Sequence, residues 1–265
     1  MKVTLFFTLL LLFTCLFSEA QEKQINRTDH QGRRQGYWEQ RYPNGNIRYK
    51  GVFSDGKPVG ELLRYYPDGS KMAIMDFDES GSKAYAELFY ENGFIAAKGN
   101  YVNEERDSIW HFYSQHDEGL LTARETYREG YKHGLSVIYY PNGEKSQKLT
   151  YRNDLRHGEW KQFYMEGTLK LEGNYENGNR EGEFVMYTPA GRPEVKGYYE
   201  DNLMHGDWEF FDGEGEVLYT LKYKKGNAEN EEELIMKEQE FFRFIEEQRG
   251  RIPEPDETER FFNMR

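Results

Sequence analysis

The sequence predicts an all-β fold: an antiparallel β-hairpin repeat solenoid of about eight 24-residue units, with a C-terminal capping α-helix. Three observations carry this. Aromatic residues recur as Phe53, Phe77, Tyr101, Tyr127, Tyr151, Tyr175, Tyr199 and Tyr223, at intervals of 24 residues except for one of 26. The four tryptophans keep the same clock: Trp38 to Trp110 spans 72 residues, Trp110 to Trp160 spans 50, and Trp160 to Trp208 spans 48. Turn-forming pairs such as Asn44-Gly45, Asp68-Gly69 and Asn142-Gly143 punctuate the chain in step with them. A fixed period of this length means one supersecondary unit copied many times, each copy serving as a packing partner for its neighbours.

The units open at Gly36, Gly60, Ala84, Ser108, Gly134, Gly158, Gly182 and Gly206, and each reads as two short strands. In the first strand Trp38, Leu62, Trp110, Trp160, Phe184 and Trp208 hold one phase. In the second, Ile47, Tyr49, Gly51 and Phe53 share a face, as do Leu169, Leu171, Gly173 and Tyr175, with polar Arg48, Lys170 and Glu172 between them. Period-two alternation marks a half-buried strand. The structural core is therefore expected to hold Trp38, Phe53, Phe77, Tyr101, Trp110, Tyr127, Tyr151, Trp160, Tyr175, Tyr199, Trp208 and Tyr223.

Tyr42-Pro43-Asn44-Gly45 and its copies at 66–69 and 140–143 suit a type I turn with a bulge. Proline presets φ, Asn or Asp tolerates the bridge region, and glycine accepts positive φ. Asp55-Gly56, Glu129-Gly130 and Asn177-Gly178 reverse the chain between units, so the sheet should be a meander without crossovers. The opening glycines are expected to admit the indole of the next copy close to the backbone. The third and fourth units depart most. Ala84 and Ser108 replace the opening glycine, Ala86 replaces the large residue two places later, and two extra residues fall near 114–119. A binding bump carrying His111, His116 and Asp117 is one candidate there.

The chain divides into a signal peptide (1–20), a lead-in (21–35), the repeat domain (36–229), a helix (230–250) and a tail (251–265). Lys2 precedes an apolar run from Val3 to Phe17, and Ser18-Glu19-Ala20 offers small residues at the cleavage positions before Gln21. Export to the periplasm, outer envelope or extracellular space follows. The single cysteine, Cys15, lies inside this leader, so the mature chain has no thiol, disulfide or thiolate metal site. Asn230 and Glu231 to Glu233 form an N-cap and acidic first turn; Leu234, Phe241 and Ile245 make an apolar stripe; Gly250 and Pro253 end it. Such a helix would cover the last strand of the solenoid.

The string from Tyr151 to Trp160, with its Tyr-x-x-Gly-x-x-x-Gly pattern repeated at Tyr127 to Gly134 and Tyr175 to Gly182, resembles MORN repeats in the variant form common in bacterial proteins. The resemblance covers about residues 36 to 226. It implies a β-hairpin solenoid and roles in protein association or, for some eukaryotic relatives, phospholipid contact. Small bacterial relatives are often labelled antitoxins, a cytoplasmic role at odds with an exported chain.

Composition narrows the function classes. A formal charge of −12 disfavours nucleic acid and anionic membrane, which call for cationic patches. Aromatic content of 16% marks a folded chain despite a mean hydropathy of −0.96. No nucleophile elbow, phosphate loop or paired metal-ligand motif is present, so no catalytic residue, cofactor site or metal site is expected. His133, His157 and His205 share a phase, but copies about 10 Å apart by strand spacing are too distant to share one zinc. The candidate binding surface is Tyr65, Tyr139 and Tyr198. Each belongs to an adjacent tyrosine pair, and neighbours in a strand face opposite ways. The expected function is an exported, non-enzymatic scaffold for protein–protein association at the cell envelope. Alternatives are a module binding cell-wall glycan through aromatic files, an antitoxin-like protein, and a membrane-associated scaffold.

Overall fold

The structure, a computed structural model, describes residues 25–229 and three further positions, Met236, Gln239 and Arg243, which are helical. The leader, the tail and the rest of the expected C-terminal helix lie outside the described residues. From Arg27–Thr28 to Asn227–Ala228 the described strands form one 19-stranded sheet. Each strand pairs antiparallel with the next in sequence, as Arg34–Arg41 does with Ile47–Ser54, Ile47–Ser54 with Lys57–Tyr65, and onward to Leu203–Phe211 with Val217–Lys224. Leu169–Glu176 pairs with both halves of a strand interrupted at Glu181. The sheet is an open meander.

The two kinds of turn explain the topology. At the hairpin tips, Gly45, Gly69, Gly93, Gly143 and Gly167 have φ of 87–94° and close the turn by donating to the tyrosine carbonyl three residues back. A register shift follows each tip, for example between Gln40 and Arg41. Between hairpins the pairs Asp55-Gly56, Asn103-Glu104, Glu129-Gly130, Asn153-Asp154, Asn177-Gly178, Asp201-Asn202 and Lys225-Gly226 have positive φ at both positions. That is the two-residue turn whose twist matches that of the flanking strands.

The opening glycines do something different from what the sequence suggests. Gly60 and Gly206 sit at φ 63° and 71° with open space where a side chain would be. They form left-handed bulges in the ladder, such as the shift after Gly51. Ser108 takes the same conformation with φ 61°. Ala84 does not. It pairs directly with Phe77 in a ladder without a shift, and the preceding connection lengthens into the Asp78–Ser82 loop. The indoles are instead received by second-strand glycines. A β-carbon on Gly99 would lie 2.3 Å from Trp110, one on Gly197 2.2 Å from Trp208, and one on Gly51 2.7 Å from Leu62.

One face of the sheet thus holds a file of interleaved rings. Trp160 meets Phe184 with centroids 6.2 Å apart, Phe184 meets Trp208 at 5.6 Å, and Tyr199 packs edge-on to Trp208 at 5.1 Å. Trp110 and Trp208 are almost wholly buried. At two of the positions where the second-strand glycine is missing, volume is exchanged across the register. Met75 stands opposite Ala86, and Glu125 opposite Ser136. Ala86 is thus the complement of Met75, not a degenerate copy, and packing density is kept.

The tips are laced together. The hydroxyls of Tyr42, Tyr66, Tyr90, Tyr140 and Tyr164 donate to the carbonyls of Tyr65, Phe89, Tyr113, Phe163 and Tyr187 in the next hairpin, at 2.7–2.9 Å. Asn44, Asn92 and Asn142 add amide bonds to Pro67, Gln115 and Met165. Each such bond contributes on the order of 1 kcal/mol.

Candidate functional site

Because the rings of the stacked face bury one another, the opposite face is the one left for a partner. Cross-strand register orders its central row as Glu39, Lys50, Leu63, Ile74, Glu87, Lys98, His111, Arg124, Val137, Lys148, Lys161, Glu172, Val185, Lys196, Glu209 and Thr220. Between Lys98 and Lys161 this row carries no carboxylate, although the chain as a whole is strongly acidic. Lys98 and Lys161 are paired at 2.8 and 2.6 Å with Glu87 and Glu159. Arg124 and Lys148 flank buried Val137 and make no ion pair among the described residues. Burial and the adjacent Arg124 guanidinium push the His111 imidazole below its ordinary range, so this histidine stays neutral near pH 7.

Beside that row runs an aromatic file at the hairpin ends: Tyr65, Phe89, Tyr113, Tyr139, Phe163, Tyr187 and Phe211, all half-buried. Contacts with the charged row fix its face. Lys50 Nζ lies 5.8 Å from the Tyr65 centroid, Lys196 Nζ lies 5.7 Å from that of Phe211, and the Tyr187 hydroxyl donates to Glu172 Oε1. Backbone carbonyls of Tyr65, Phe89, Tyr113, Phe163 and Tyr187 accept the tyrosine lacing, so most of these rings stand on a stiffened edge.

The three expected site tyrosines do not form one set. Tyr65 and Tyr139 belong to the file, five positions into their units. Tyr198 lies in another row, paired with Glu183 and His205, and is 44% exposed. Their partners Tyr66 and Tyr140 lace the tips, and Tyr199 packs on Trp208. Phe89, Tyr113, Phe163, Tyr187 and Phe211 share the file but not the tyrosine doublet: they stand before Tyr90, Ser114, Tyr164, Thr188 and Asp212. Extending the 24-residue clock from Tyr65 finds them.

Other candidates are separated or otherwise employed. His111 lies within a strand, whereas His116 and Asp117 sit in the enlarged tip, where both backbone amides donate to Ser114 Oγ. Each histidine of the shared phase holds a turn: His133 Nδ1 meets Asn153 Oδ1 at 3.0 Å, His157 Nδ1 accepts from the Asn177 amide at 3.5 Å, and His205 Nδ1 lies 3.1 Å from Glu200. Among the described residues no cluster of metal-ligating side chains comes together.

One polar group is built into the stacked face. Glu125 is buried, accepts from the Tyr127 hydroxyl, and pairs with Lys132 at 3.0 Å. Arg106 donates to the same hydroxyl at 3.2 Å. Burial, with the Glu125 charge beside it, holds the Tyr127 phenol far above its usual range. The group lies between two apolar clusters, one around Trp110 and one around Trp208.

The family profile described as MORN repeat variant matches residues 34–55, 132–153 and 156–177. The chain is a MORN repeat protein. Each matched stretch contains the opening glycine bulge and ends on the first residue of a two-residue turn, Asp55, Asn153 or Asn177. Outside them, the MORN hairpins around Ala84 and Ser108 are those with an altered bulge or lengthened loop. No curated protein matches the chain. Among solved structures, a TcdB2–TccC3–Cdc42 crystal structure is 12% identical with a TM-score of 0.17, covering 76% of this chain and 16% of that one. The TCP10 domain of Danio rerio CPAP, in complex with a Danio rerio STIL peptide, is 12% identical with a TM-score of 0.16, covering 71% of this chain and 100% of that domain. The chain spans about one sixth of the length of the first. No helix among the described residues is long and apolar enough to cross a membrane.

Proposed function

We propose that this MORN protein is an exported, non-enzymatic scaffold that holds an acidic, extended segment of another protein against the open face of its sheet. The observation that carries the reading is the pairing of the aromatic file with the carboxylate-free run from Lys98 to Lys161. Half-buried rings on a stiffened edge offer apolar contact at low entropic cost, and Arg124 and Lys148 offer cations not already committed to a carboxylate. Spacing supports an extended partner, since successive rings belong to successive hairpins about 10 Å apart by strand spacing. Export rests on the leader sequence and a placement at the cell envelope on that export.

The test is site-specific photocrosslinking from position 139 or 163 of residues 21–265, mixed with envelope extract of the source cells. One dominant protein adduct that disappears in Arg124→Glu/Lys148→Glu supports the scaffold. Retention of the unmodified protein on insoluble cell wall, lost on Tyr139→Ala/Phe163→Ala, would instead select the glycan reading of the same file. An unprocessed N-terminus in the cytoplasm would remove export.

A further inference from the structure

One row of the stacked face is mostly apolar, with Gln40 and Arg64 near its N-terminal end and Gln147 and Gln162 in its middle as its polar members. Register aligns Arg64 with Tyr49 on one side and, through Ala73, with Leu88 on the other. In the other hairpins the position of Arg64 is held by Gln40, Leu88, Phe112, Ile138, Gln162, Met186 and Phe210, five of them apolar and none charged. Gln162 is bonded to Gln147, so its polarity is satisfied within the sheet. Arg64 has no hydrogen bond or ion pair among the described residues. A cation thus stands where the repeat places a packing side chain.

It stands in a groove. A depression of about 480 Å³ is lined by Arg34, Arg48 and Arg64, with Tyr49, Phe53 and Leu62 among its walls. Arg34 is fixed in place: its guanidinium lies 4.6 Å from the Phe53 centroid and donates to the Tyr49 hydroxyl at 3.3 Å. Arg48 has only the Tyr42 ring, 5.9 Å away. The single carboxylate on the rim is Glu104, from a turn two hairpins along. Three guanidinium groups, none of them ion-paired among the described residues, line one depression beside an aromatic wall in a protein of net charge −12.

We propose that this groove binds a small organic oxyanion, a carboxylate or phosphate monoester joined to an apolar or aromatic body. Guanidinium forks match both oxyanions in a bidentate manner. Arg48 and Arg64 hold the oxyanion, Arg34 is the pre-positioned third donor, and Tyr49, Phe53 and Leu62 take the body. The site lies on the stacked face, so it stands or falls independently of partner binding on the open face.

Titration of benzoate and of phenyl phosphate into residues 21–265, followed by arginine Nε resonances in NMR, tests this. Saturable shifts at Arg48 and Arg64 are expected with at least one probe, and benzyl alcohol should produce none. Arg64→Leu restores the residue type of the repeat, so the fold should persist by near-ultraviolet circular dichroism while affinity falls about tenfold or more. Arg64→Lys keeps the charge, loses the fork and should weaken binding by a smaller factor. Preference for benzoate assigns the site to carboxylates and preference for phenyl phosphate to phosphate esters. The absence of saturable shifts with both probes, or equal affinity in wild type and Arg64→Leu, overturns the proposal.

Discussion

Substituting Gly197 tests whether the sheet is held by ring-on-backbone stacking. A β-carbon there would sit 2.2 Å from Trp208 Cδ2 and 2.3 Å from Cε2. The indole cannot retreat, because it is 1% exposed and packed against Phe184, Tyr199 and Tyr223 at 5.6, 5.1 and 6.3 Å. Overpacking of a well-filled site costs about 1–3 kcal/mol, and the rigid ring places Gly197→Ala near the upper end. Gly206→Ala is the control. It places a β-carbon in open space at φ 71°, which costs about 1–2 kcal/mol for the left-handed conformation. Reduced unfolded-state entropy returns about 0.4–1 kcal/mol in either variant. Gly197→Ala should therefore be the less stable by about 2 kcal/mol, or roughly 4–8 °C in midpoint for a domain of this size. The structure also supplies a rescue, since Met75 opposite Ala86 is the same pair with the volumes exchanged. In a double-mutant cycle, Gly197→Met/Trp208→Ala should recover at least 1 kcal/mol relative to the sum of its single substitutions. Urea unfolding followed by far-ultraviolet circular dichroism measures the wild type and all five variants. Equal stability of the two alanine variants, or additivity within about 0.5 kcal/mol in the cycle, refutes the stacking argument.

Ser108→Gly should stabilise the protein by about 0.5–1 kcal/mol, because Ser108 holds φ 61° where other units have glycine; thermal midpoints measure it. Trp110→Phe should cost about 1 kcal/mol more than Trp208→Phe by urea midpoint, because Trp110 Nε1 donates to Asn100 O at 3.0 Å while buried Trp208 Nε1 has no acceptor among the described residues. Stability should be flat between about pH 7 and 9.5 and fall between about pH 10 and 12. Burial, aided by Glu194 and Tyr140, pushes Tyr164 up to about 12, and burial with the hydrogen bond to Glu172 pushes Tyr187 up to about 12. Unfolded phenols ionise near 10. Because the folded values are raised, the contribution is complete below the unfolded pKa and is lost as pH rises through the folded one. Tyr164→Phe/Tyr187→Phe should flatten that slope in a urea-midpoint series. Lys132→Met should destabilise by about 3 kcal/mol in the same assay by stranding the buried Glu125 carboxylate.

Much of the sheet was legible because a repeat places each side chain at a fixed offset from its neighbours. The tip turns, the two-residue connections, and the shared face of Trp160 and Trp208 all follow from local turn chemistry and period-two alternation. The roles of the glycines were not legible, because composition cannot separate two reasons for a missing β-carbon. Gly206 lacks one for conformation and Gly197 for space, and only φ and the position of the indole tell them apart. Ala84 and Ser108 look alike as replacements, yet Ser108 keeps the bulge and Ala84 removes it. The groove was hidden for another reason. Arg64 can be picked out by aligning the units, but the approach of Glu104 from two hairpins away depends on how the sheet curls, which no single repeat encodes.

A one-layer sheet has no second layer to bury its apolar face, so each hairpin must supply its neighbour with that cover. This explains why volume at several ring-bearing positions is compensated across the register, as in Gly197 with Trp208, Met75 with Ala86 and Glu125 with Ser136, while Leu149 opposite Trp160 is the uncompensated exception among these pairs. A residue on that face is constrained by the copies on either side of it. Residues on the open face carry no such constraint, and there the central row varies between Glu87, His111, Val137 and Lys161 from one copy to the next. An unpaired cation on the open face is therefore cheap and common, as Arg124 and Lys148 show. Arg64 on the stacked face is costly, because it forgoes the packing that Leu88 or Phe112 provides in the same position. A stability cost of that kind, at one copy and not at its neighbours, is what a ligand site built into a structural face entails, and it is the reason Arg64→Leu should raise the urea midpoint while it weakens oxyanion binding.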